Sequence, residues 1–326
     1  MHPPDDWSPS ATHAALRLRA QLYALMRCHF AEQGVIEVET PVLSAAGNTE
    51  PNIASFSLSF SGRVDGGPRT RWLRTSPEHA LKRLLASGFG DCYELGRVFR
   101  KGEAGIRHNP EFTLLEWYRV GWDHHRLAQE TVQLVQQALA LCGRTAEVNE
   151  CTYAELYRQA LGVDAFADSE QRLQQAMGEV QIDPDGLSRD DWLDLLMTHR
   201  IQPAFPADRI TVVHDFPASQ CALARIRHDV HPVAERFELY LGPLELANGY
   251  HELVDADEQT RRFHHDLQRR TARDLPQPPV DDRFLQALQA GLPACAGVAL
   301  GVDRLLMAML GTDRIADVLA FDWFRA

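Results

Sequence analysis

Residues 297–304 read G-V-A-L-G-V-D-R and run directly into an apolar segment with helical spacing. The small residues Gly297, Ala299 and Gly301 leave alternate positions of a predicted strand without bulk, so that a flat ligand fits against its backbone. Arg304 stands at the mouth of the predicted helix, and its planar, permanently charged guanidinium suits phosphate oxygens. Taken alone, the segment is better explained as a strand and turn before a core helix, with a surface ion pair between Arg304 and the preceding aspartate. A ligand-binding interpretation therefore needs support from the rest of the chain.

The composition is that of a globular protein with a sizeable core. The chain has 326 residues, of which 45% are hydrophobic and 24% are charged, enough for one large domain or two ordinary ones. The net charge is 33 − 45 = −12, so no general positive field attracts nucleic acid. The sequence has neither a leader-like start nor a run of membrane-span length, which predicts a cytoplasmic protein. Its six cysteines lie far apart without a C-x-x-C, which favours reduced thiols.

The spacing of apolar residues predicts an α+β fold, a mixed antiparallel sheet with helices around it. Helical periodicity covers residues 12–33, 77–85, 125–141, 257–273 and 284–290. Strands are predicted at residues 35–38, 71–73, 91–99, 112–118, 210–215, 234–241 and 244–247. Outside these elements the sequence predicts a turn-rich loop at residues 62–68, a helical insertion packed beside the core at 164–205 and a proline-rich linker at 275–279.

The stretch 100–118 joins two predicted antiparallel strands through a long polar loop. It reads R-K-G-E-A-G-I-R-H-N followed by P-E-F-T-L-L-E-W-Y, and long loops inside compact domains are usually functional. A nucleotide attacked at its α-phosphate needs fixed positive charge, which Arg100 supplies, and a partner for its base, which Glu103 offers. By itself the loop is equally consistent with a charged hairpin. Because the sequence has no G-x-x-x-x-G-K-[ST] motif, arginines on strands would replace a phosphate-cradling helix start.

Acidic residues flank a second predicted hairpin. Glu238 and Glu245 stand on either side of a Gly-Pro turn, and paired carboxylates suit Mg²⁺ that bridges phosphates. Solvated acids on a strand face explain this pair about as well until Asn248 and Glu252 are added. The sequence E-L-A-N-G-Y-H-E-L places Glu245, Asn248 and Glu252 in one turn-containing segment.

Such a density of carboxylates predicts a cationic ligand. Glu78, Glu116 and Glu252, together with Tyr118, offer hydrogen bonds to two amino groups. Glu116 and Tyr118 lie two residues apart on a predicted strand and therefore face the same side. Structural ion pairs are the competing explanation for each acid, and for Glu78 alone we prefer that explanation.

The histidines do not predict a zinc site. The adjacent residues His124 and His125 are expected to point apart, as are His264 and His265, and the H-x-x-H that begins at His228 lacks a third ligand of good spacing. The sequence also contains neither a G-x-S-x-G elbow nor a cysteine in a recognisable catalytic context. Covalent catalysis is therefore not indicated.

Four motifs, in order along the chain, resemble those of the class II aminoacyl-tRNA synthetases and most closely the lysyl branch. They are G-V-I-E-V-E-T-P at residues 34–41, F-R-K-G-E with R-H-N-P-E-F-T-L-L-E-W-Y within residues 99–118, E-L-A-N-G-Y-H-E-L at residues 245–253, and G-V-A-L-G-V-D-R. The resemblance implies a class II synthetase-like antiparallel sheet flanked by helices, in a single catalytic domain that spans residues 1–326. The first motif begins so early that we expect no room for the anticodon-binding barrel that precedes the lysyl core.

The resemblance also implies roles for particular residues. Arg100 and Arg304 are implied as catalytic arginines that bind phosphate, and Glu238 and Glu245 as ligands of Mg²⁺. Contacts with ATP are implied for Arg100, Lys101, Gly102, Glu103, His108, Asn109, Glu245, Leu246, Gly301 and Arg304. Contacts with a lysine-like substrate are implied for Ser76, Glu78, Glu116, Tyr118, Asn248, Glu252 and Ala299.

Two positions depart from the pattern of that family. The usual arginine-any-glutamate motif reads R-K-G-E here, so the adenine contact is expected to fall to Glu103 or to be lost. Ala299 stands where lysyl-tRNA synthetases generally have glycine. This substitution would reshape the floor of the pocket and favour an amino group on the β carbon.

A free-standing lysyl-type core of this length resembles the ligases that attach (R)-β-lysine to a lysine side chain of elongation factor P, a protein that mimics tRNA in shape. T-S-P-E-H and F-P-A-S-Q-C-A-L-A-R also resemble that ligase family. The resemblance implies adenylate formation from Mg·ATP and transfer to elongation factor P by a homodimer, without tRNA or membrane. The alternatives are direct aminoacylation of a tRNA or small acceptor, and a regulatory paralogue that binds an amino acid without chemistry. The sequence does not decide between α- and β-lysine.

Overall fold

The computed structural model describes residues 7–63, 66–67, 69–180 and 182–326. Its α-helices are α1 (His13–Glu32), α2 (Glu78–Ala86), α3 (His124–Ala140), α4 (Tyr153–Leu161), α5 (Glu170–Ala176), α6 (Arg189–Leu196), α7 (Ala256–Ala272), α8 (Asp282–Gly291) and α9 (Val302–Leu310). Its strands are β1 (Ile36–Glu37), β2 (Leu43–Ser44), β3 (Ser57–Ser59), β4 (Thr70–Leu73), β5 (Cys92–Phe99), β6 (Glu111–Val120), β7 (Glu147–Thr152), β8 (Arg209–Pro217), β9 (Ile226–Arg227), β10 (Val233–Leu241), β11 (Leu244–His251) and β12 (Cys295–Gly301). Short π- and 3-10-helical turns lie at Met197–Ile201, Gln202–Ala204, Ala218–Gln220 and Ile315–Asp317.

The described residues divide into two compact units. Unit 1 takes them from Met1–Gly121, Val254–Cys295 and Ala299–Ala326, and unit 2 from Trp122–Leu253 and Ala296–Val298. The strand β12 therefore contributes residues to both units.

Unit 1 is organised around the antiparallel pair β5 and β6. Their register runs from Cys92 opposite Tyr118 to Phe99 opposite Glu111. The short strand β1 runs parallel beside β5, and a separate three-stranded sheet has the order β2-β4-β3. Strand β6 carries Glu116 and Tyr118, two of the candidate substrate residues of unit 1.

Helix α1 covers one face of this strand pair. Phe30, which is fully buried, stacks on Tyr93 of β5 with ring centroids 4.4 Å apart and contacts Trp117 of β6 at 5.4 Å. Successive side chains of a strand point to opposite faces. Because Trp117 faces α1, its neighbours Glu116 and Tyr118 face away from that helix.

Unit 2 contains a second run of strands in the order β11-β10-β8-β7, with β9 beside β10. The strands β10 and β11 form an antiparallel hairpin, whereas β7 and β8 are parallel. Apolar side chains from α4, α5 and α6 pack with Phe216 and Tyr240 in one core cluster. The segment 164–205, predicted as an insertion beside the core, therefore contributes directly to a core through residues such as Leu173 and Trp192.

The predicted α+β fold is confirmed, and each predicted helix and strand is present with bounds shifted by a few residues. One difference concerns the segment that was predicted to contain a turn between Glu245 and Glu252. Glu245 and Asn248 both lie on the continuous strand β11, so no turn separates them. In the predicted loop 62–68, positions 64, 65 and 68 lie outside the described residues. None of the helices in the described part of the chain has the length and apolar character that a membrane crossing requires. The six cysteines are free thiols, as predicted.

Candidate active site

One face of β6 carries candidate substrate residues of unit 1. Phe112, Leu114, Glu116 and Tyr118 alternate along the strand and share the face that points away from α1. The Arg100 guanidinium lies over the Phe112 ring, 5.1 Å from its centroid. At a rise of about 3.4 Å per residue, Phe112 and Glu116 are about 14 Å apart along the strand. This face therefore separates a cationic end from a carboxylate end by roughly the length of an extended amino acid with its activating phosphate.

The carboxylate end is centred on Glu116, which is 2% exposed. Ser76 Oγ donates a hydrogen bond to Glu116 Oε2 at 2.7 Å, and the Tyr118 hydroxyl donates to Oε1 at 2.8 Å. Ser76 is held in turn by the Glu78 amide, which donates to its Oγ at 2.9 Å. Burial raises the pKa of Glu116 to about 8, with a further rise from the charge of Glu78, against the lowering effect of the two hydroxyl donors. A cationic group bound here would relieve the cost of ionising Glu116.

Glu78 is already paired in this structure. Its Oε1 lies 2.6 Å from Nζ of Lys82, one helical turn later on α2, and Lys82 is 1% exposed. The preferred explanation for Glu78 taken alone, an ion pair within the fold, is therefore confirmed. The sequence analysis did not name Lys82 as the partner of Glu78, although the spacing of four residues was the available signal. A substrate amino group at Glu78 would compete with Lys82.

A buried ion pair lies on the face of β5 that is shared with Glu116 of β6. Arg74 Nη1 lies 2.6 Å from Glu94 Oε1, and Glu94 is directly opposite Glu116 in the strand register. Paired residues of antiparallel strands share a face. At Gly96 an added Cβ would lie 2.6 Å from Arg74 Nη2, so the absence of a side chain there lets the guanidinium lie against the strand. The sequence analysis missed this pair as well, because nothing in the local pattern links residues twenty positions apart.

The cationic end is formed by the polar loop after β5 and by the start of α9. Arg304 Nη2 lies 3.1 Å from His108 Nε2, and Arg100 Nη1 lies 3.8 Å from Glu103 Oε1. Gly102 has φ of +89°, a conformation that favours glycine. These contacts place the predicted phosphate-binding arginines beside the other residues predicted for the nucleotide.

The same loop is tied to a segment far along the chain. The Ile315 amide donates to the Ile106 carbonyl at 2.8 Å. Asn109 is buried, with 8% of the residue exposed. Its side-chain amide group donates to the Glu111 carbonyl at 2.7 Å, and its side-chain oxygen accepts from the Trp323 backbone amide at 2.8 Å. Asn109 therefore shapes the loop through both ends of its amide. Its contact with a nucleotide stays a prediction, as does that of the exposed Lys101.

Asp303 anchors the residue next to Arg304. It is 2% exposed, forms an ion pair with Arg19 of α1 and accepts a hydrogen bond from the Thr113 amide of β6 at 2.7 Å. Arg19 also donates to the Val318 carbonyl at 2.7 Å. The simpler explanation of residues 297–304, in which Asp303 and Arg304 form a surface ion pair, is therefore wrong. Asp303 fixes α9 on β6, while Arg304 reaches the cationic end.

The end of β12 keeps the small residues on its more open face. Ala299 and Gly301 are partly exposed, whereas Leu300 between them is fully buried. A Cβ added at Gly301 would lie 3.7 Å from Arg304 Cβ, which is ordinary contact. The packing of the described residues therefore does not itself require glycine at this position. A ligand that lies against the backbone would require it.

The predicted metal residues lie on the β10–β11 hairpin of unit 2. Arg236 donates to one carboxylate oxygen of Glu238, and the Tyr240 hydroxyl donates to the other. Burial raises the pKa of Glu238 to about 7, although Arg236 lowers it, and Glu245 raises it further. Both oxygens of Glu238 already accept a hydrogen bond, so an Mg²⁺ ion would use their remaining lone pairs beside the charge of Arg236. Glu245, which is opposite Tyr240 and partly exposed, is the other carboxylate predicted as a ligand.

Asn248 is paired directly with Glu238 across the hairpin. Its Oδ1 is buried and accepts no hydrogen bond from the residues that the structure describes. A buried acceptor without a donor is costly, and an amino group of a ligand would satisfy it. Leu246 and Glu252 are buried in the same unit, with Glu252 just beyond the end of β11.

The fold and these residues define the class of the protein. A family model described as tRNA synthetases class II (D, K and N) matches residues 6–323. The chain belongs to this family, and its α+β fold is that of a class II synthetase domain.

Within the family, the similar proteins include several ligases that share one name. The elongation factor P (R)-beta-lysine ligase of Proteus mirabilis (strain HI4320) is 43% identical over 325 residues, which are 98% of each chain. The ligase of the same name from Yersinia enterocolitica is 44% identical over 323 residues, again 98% of each chain. That of Mannheimia succiniciproducens is 45% identical over 316 residues, or 97% of each chain. The similarity therefore extends over nearly the full length of these relatives.

Proposed function

We propose that the protein is an ATP-dependent ligase that activates (R)-β-lysine or lysine as an aminoacyl-adenylate and transfers it to a lysine side chain of elongation factor P. The observation that carries the proposal is the cluster of Ser76, Glu116 and Tyr118, in which hydroxyl groups hold a buried carboxylate of raised pKa. The distal ammonium of a lysine-like substrate is the charge that this carboxylate lacks. The choice of elongation factor P as acceptor is supported by the relatives, whose names state that activity.

The proposed chemistry has two displacement steps. The substrate carboxylate attacks the α-phosphorus of ATP, the bond to the β-phosphate breaks, and pyrophosphate leaves. The acceptor lysine amine then attacks the adenylate carbonyl, forms the amide bond and releases AMP and a proton. Arg100 and Arg304 would stabilise the phosphate charge that develops in the first step, and no protein nucleophile is required.

ATP is proposed to enter with Mg²⁺, which would neutralise part of its phosphate charge. Both predicted ligands, Glu238 and Glu245, stay in the proposal. Glu238 would bind Mg²⁺ through oxygens that also accept hydrogen bonds from Arg236 and Tyr240, which weakens its hold on the ion. The expected order of sensitivity is therefore that substitution of Glu245 weakens ATP binding more than substitution of Glu238.

The other predicted residues keep their proposed partners. The nucleotide would contact the loop residues and the end of β12, namely Lys101, Gly102, Glu103, His108, Asn109 and Gly301, together with Leu246. The amino acid would contact Ser76, Glu78, Glu116, Tyr118, Asn248, Glu252 and Ala299. We further propose a cytoplasmic homodimer whose chain forms one catalytic domain and acts without tRNA.

Arg304→Ala tests the activation step. We expect the rate of ATP–pyrophosphate exchange to fall by about 100-fold or more, because a charge-stabilising donor is lost from the transition state. Arg261→Ala is the matched control, since Arg261 lies on α7 with a side chain that is 71% exposed. Circular dichroism should show the same fold for both variants. An exchange rate within threefold of the unchanged protein would contradict the role of Arg304.

The acceptor is tested separately by intact-mass analysis of elongation factor P after incubation with the protein, ATP and either α- or β-lysine. The proposal predicts a mass increase of one lysyl group. Labelled lysine on RNA and an unmodified elongation factor P would favour the tRNA alternative. The absence of both products, together with absent pyrophosphate exchange, would favour the non-catalytic paralogue.

A further inference from the structure

Four side chains outside the candidate active site converge in unit 2. These are His124 and His125 at the start of α3, and His214 and Asp215 in β8, here called the histidine cluster. One potential ligand atom from each lies within 4.8 Å of the others. The expectation that His124 and His125 point apart is wrong, because their ring centroids are 4.1 Å apart with an interplanar angle of 37°. Adjacent residues at a helix start can converge because the first of them lies at the junction with the preceding extended backbone.

The spacing of these atoms is close to that of metal ligands. His124 Nε2 lies 3.4 Å from Asp215 Oδ1, and His214 Nδ1 lies 3.6 Å from Asp215 Oδ2. Around a tetrahedral zinc ion with bonds near 2.0–2.1 Å, neighbouring ligand atoms are about 3.3 Å apart. The ring of His125 is centred 4.8 Å from that of His214, in an edge-on arrangement. Small side-chain rotations would therefore bring four ligand atoms to one centre.

The buried nitrogens of this cluster lie beside Asp215 but do not form hydrogen bonds of ordinary distance and geometry with it. His124 is 2% exposed, and neither of its ring nitrogens makes a hydrogen bond within the part of the chain that the structure describes. The same holds for Nδ1 of His214. Buried polar atoms are normally satisfied, and an unsatisfied one is costly. A metal ion accepts electron pairs from such nitrogens and would remove that cost.

The surroundings resemble the outer contacts of a metal site. Glu150 Oε1 lies 3.6 Å from Nε2 of His214 and 3.7 Å from Nδ1 of His125, so in each ring the other nitrogen is left for the centre of the cluster. Carboxylates commonly hold the distal nitrogen of metal-ligating histidines in this way. Arg227 donates to Asp215 at 2.9 Å and fixes that carboxylate. Each carboxylate oxygen has a second lone pair for another contact.

Backbone geometry points in the same direction. Asp215 has φ of +59°, and non-glycine residues in this strained region cluster at functional sites.

We propose that the histidine cluster binds one divalent transition-metal ion of the zinc type through three imidazole nitrogens and one carboxylate oxygen. This donor set suits Zn²⁺, in contrast to the all-oxygen sets that suit Mg²⁺. Four protein ligands leave no open coordination position, so the ion would be structural. It would tie the start of α3 to β8 within unit 2.

The test uses the full chain after treatment with a chelator, and Zn²⁺ and Co²⁺ as probes. We expect titration calorimetry to give one Zn²⁺ per chain with micromolar or tighter affinity, and Co²⁺ to give the visible absorption bands of a tetrahedral site. Weaker binding than this, or several ions per chain, would overturn the proposal.

His125→Gln/His214→Gln removes two ligands and should abolish both signals. His264→Gln/His265→Gln is the matched control, because this adjacent pair is exposed on α7 and lies outside the cluster; it should retain them. Equal binding by both double variants would show adventitious surface histidines and overturn the proposal. If the first double variant fails to fold, His125→Gln alone, whose side chain is 41% exposed, should weaken Zn²⁺ binding at least about tenfold. Unchanged affinity in that variant would equally overturn it.

Discussion

Glu116 in unit 1 and Glu238 in unit 2 have the same local design but different neighbours. Each lies on a strand and accepts a hydrogen bond from the tyrosine two residues later, and burial raises the pKa of both carboxyls. Glu238 also has an ion pair with Arg236, two residues before it, whereas Glu116 accepts its second hydrogen bond from a neutral serine. One carboxylate thus has an arginine as its partner on the same strand, and the other has only neutral donors among its hydrogen bonds. For the proposed function, this difference makes Glu116, and not Glu238, the candidate for recognition of a cationic substrate group.

The largest expected effect comes from removing the cation that balances Glu238. Arg236→Met should lower the free energy of unfolding by about 3 kcal/mol at pH 8, because a buried carboxylate loses its partner. The loss should shrink at pH 6, where Glu238 can take up a proton. Urea denaturation at both pH values measures this. The double variant Arg236→Met/Glu238→Gln should recover most of the stability, and no recovery would break the comparison.

The next effect concerns recognition of the substrate amine. Glu116→Gln keeps the shape but removes the charge, and should weaken binding of lysine or β-lysine by about 10- to 150-fold, corresponding to 1.5–3 kcal/mol for a charged hydrogen bond. Binding of an analogue without the distal amine should change much less. Titration calorimetry with both ligands checks this, with Glu238→Gln as the matched control. Equal losses for the two ligands would remove Glu116 from amine recognition.

The raised pKa of Glu116 makes substrate affinity depend on pH. Below about 8 the carboxyl of the free protein is mainly protonated, and binding of an ammonium group requires it to ionise. Affinity for lysine should therefore rise by up to about tenfold per pH unit towards pH 8 and then level off, with release of a proton. For the same reason, this group makes folding less favourable as pH rises from 4.5 to about 8. Calorimetry in buffers of different ionisation enthalpy measures the number of protons released on lysine binding. A lysine affinity that does not change between pH 6 and pH 8 in the unchanged protein would contradict the role of Glu116.

The smallest expected effect separates the two tyrosines. Tyr118→Phe should weaken lysine binding about fivefold, since one hydrogen bond that positions Glu116 is worth about 1 kcal/mol. Tyr240→Phe should instead reduce stability by a similar free energy and leave lysine selectivity unchanged. Binding and denaturation measured on both variants provide the check. If the two variants behave alike, the distinction between the acids fails.

Sequence reasoning worked best where the physical signal is local. The apolar period of α1 and the alternation along β6 follow from backbone geometry, so the α+β elements were predictable within a few residues. The shared face of Glu116 and Tyr118 followed from the same rule and is present as a hydrogen bond. The partner of Asp303 was predicted wrongly because its true partner, Arg19, is far away in sequence, and local spacing indicated only Arg304.

Two further features, one in the candidate active site and one outside it, also depend on tertiary contacts. The engagement of Glu238 by Arg236 requires both side chains to be buried on one strand face, which composition alone does not reveal. The convergence of His124 with His214 requires α3 and β8 to meet, so the adjacent histidines could not be oriented from spacing. Sequence patterns therefore identify candidate residues more reliably than they identify the partners that set their charge.

The contact between Asn109 and Trp323 has a consequence for the timing of folding. These residues are 214 positions apart, and the amide of Trp323 donates to the Asn109 side chain within the loop that carries Arg100 and His108. Chains are synthesised from the N-terminus, so β5 and β6 can pair long before that donor has been made. The hydrogen bond from Trp323 to the loop can therefore form only after the ribosome has added that residue. A nascent chain can thus pair β5 with β6 well before the loop at residues 100–109 has all its contacts.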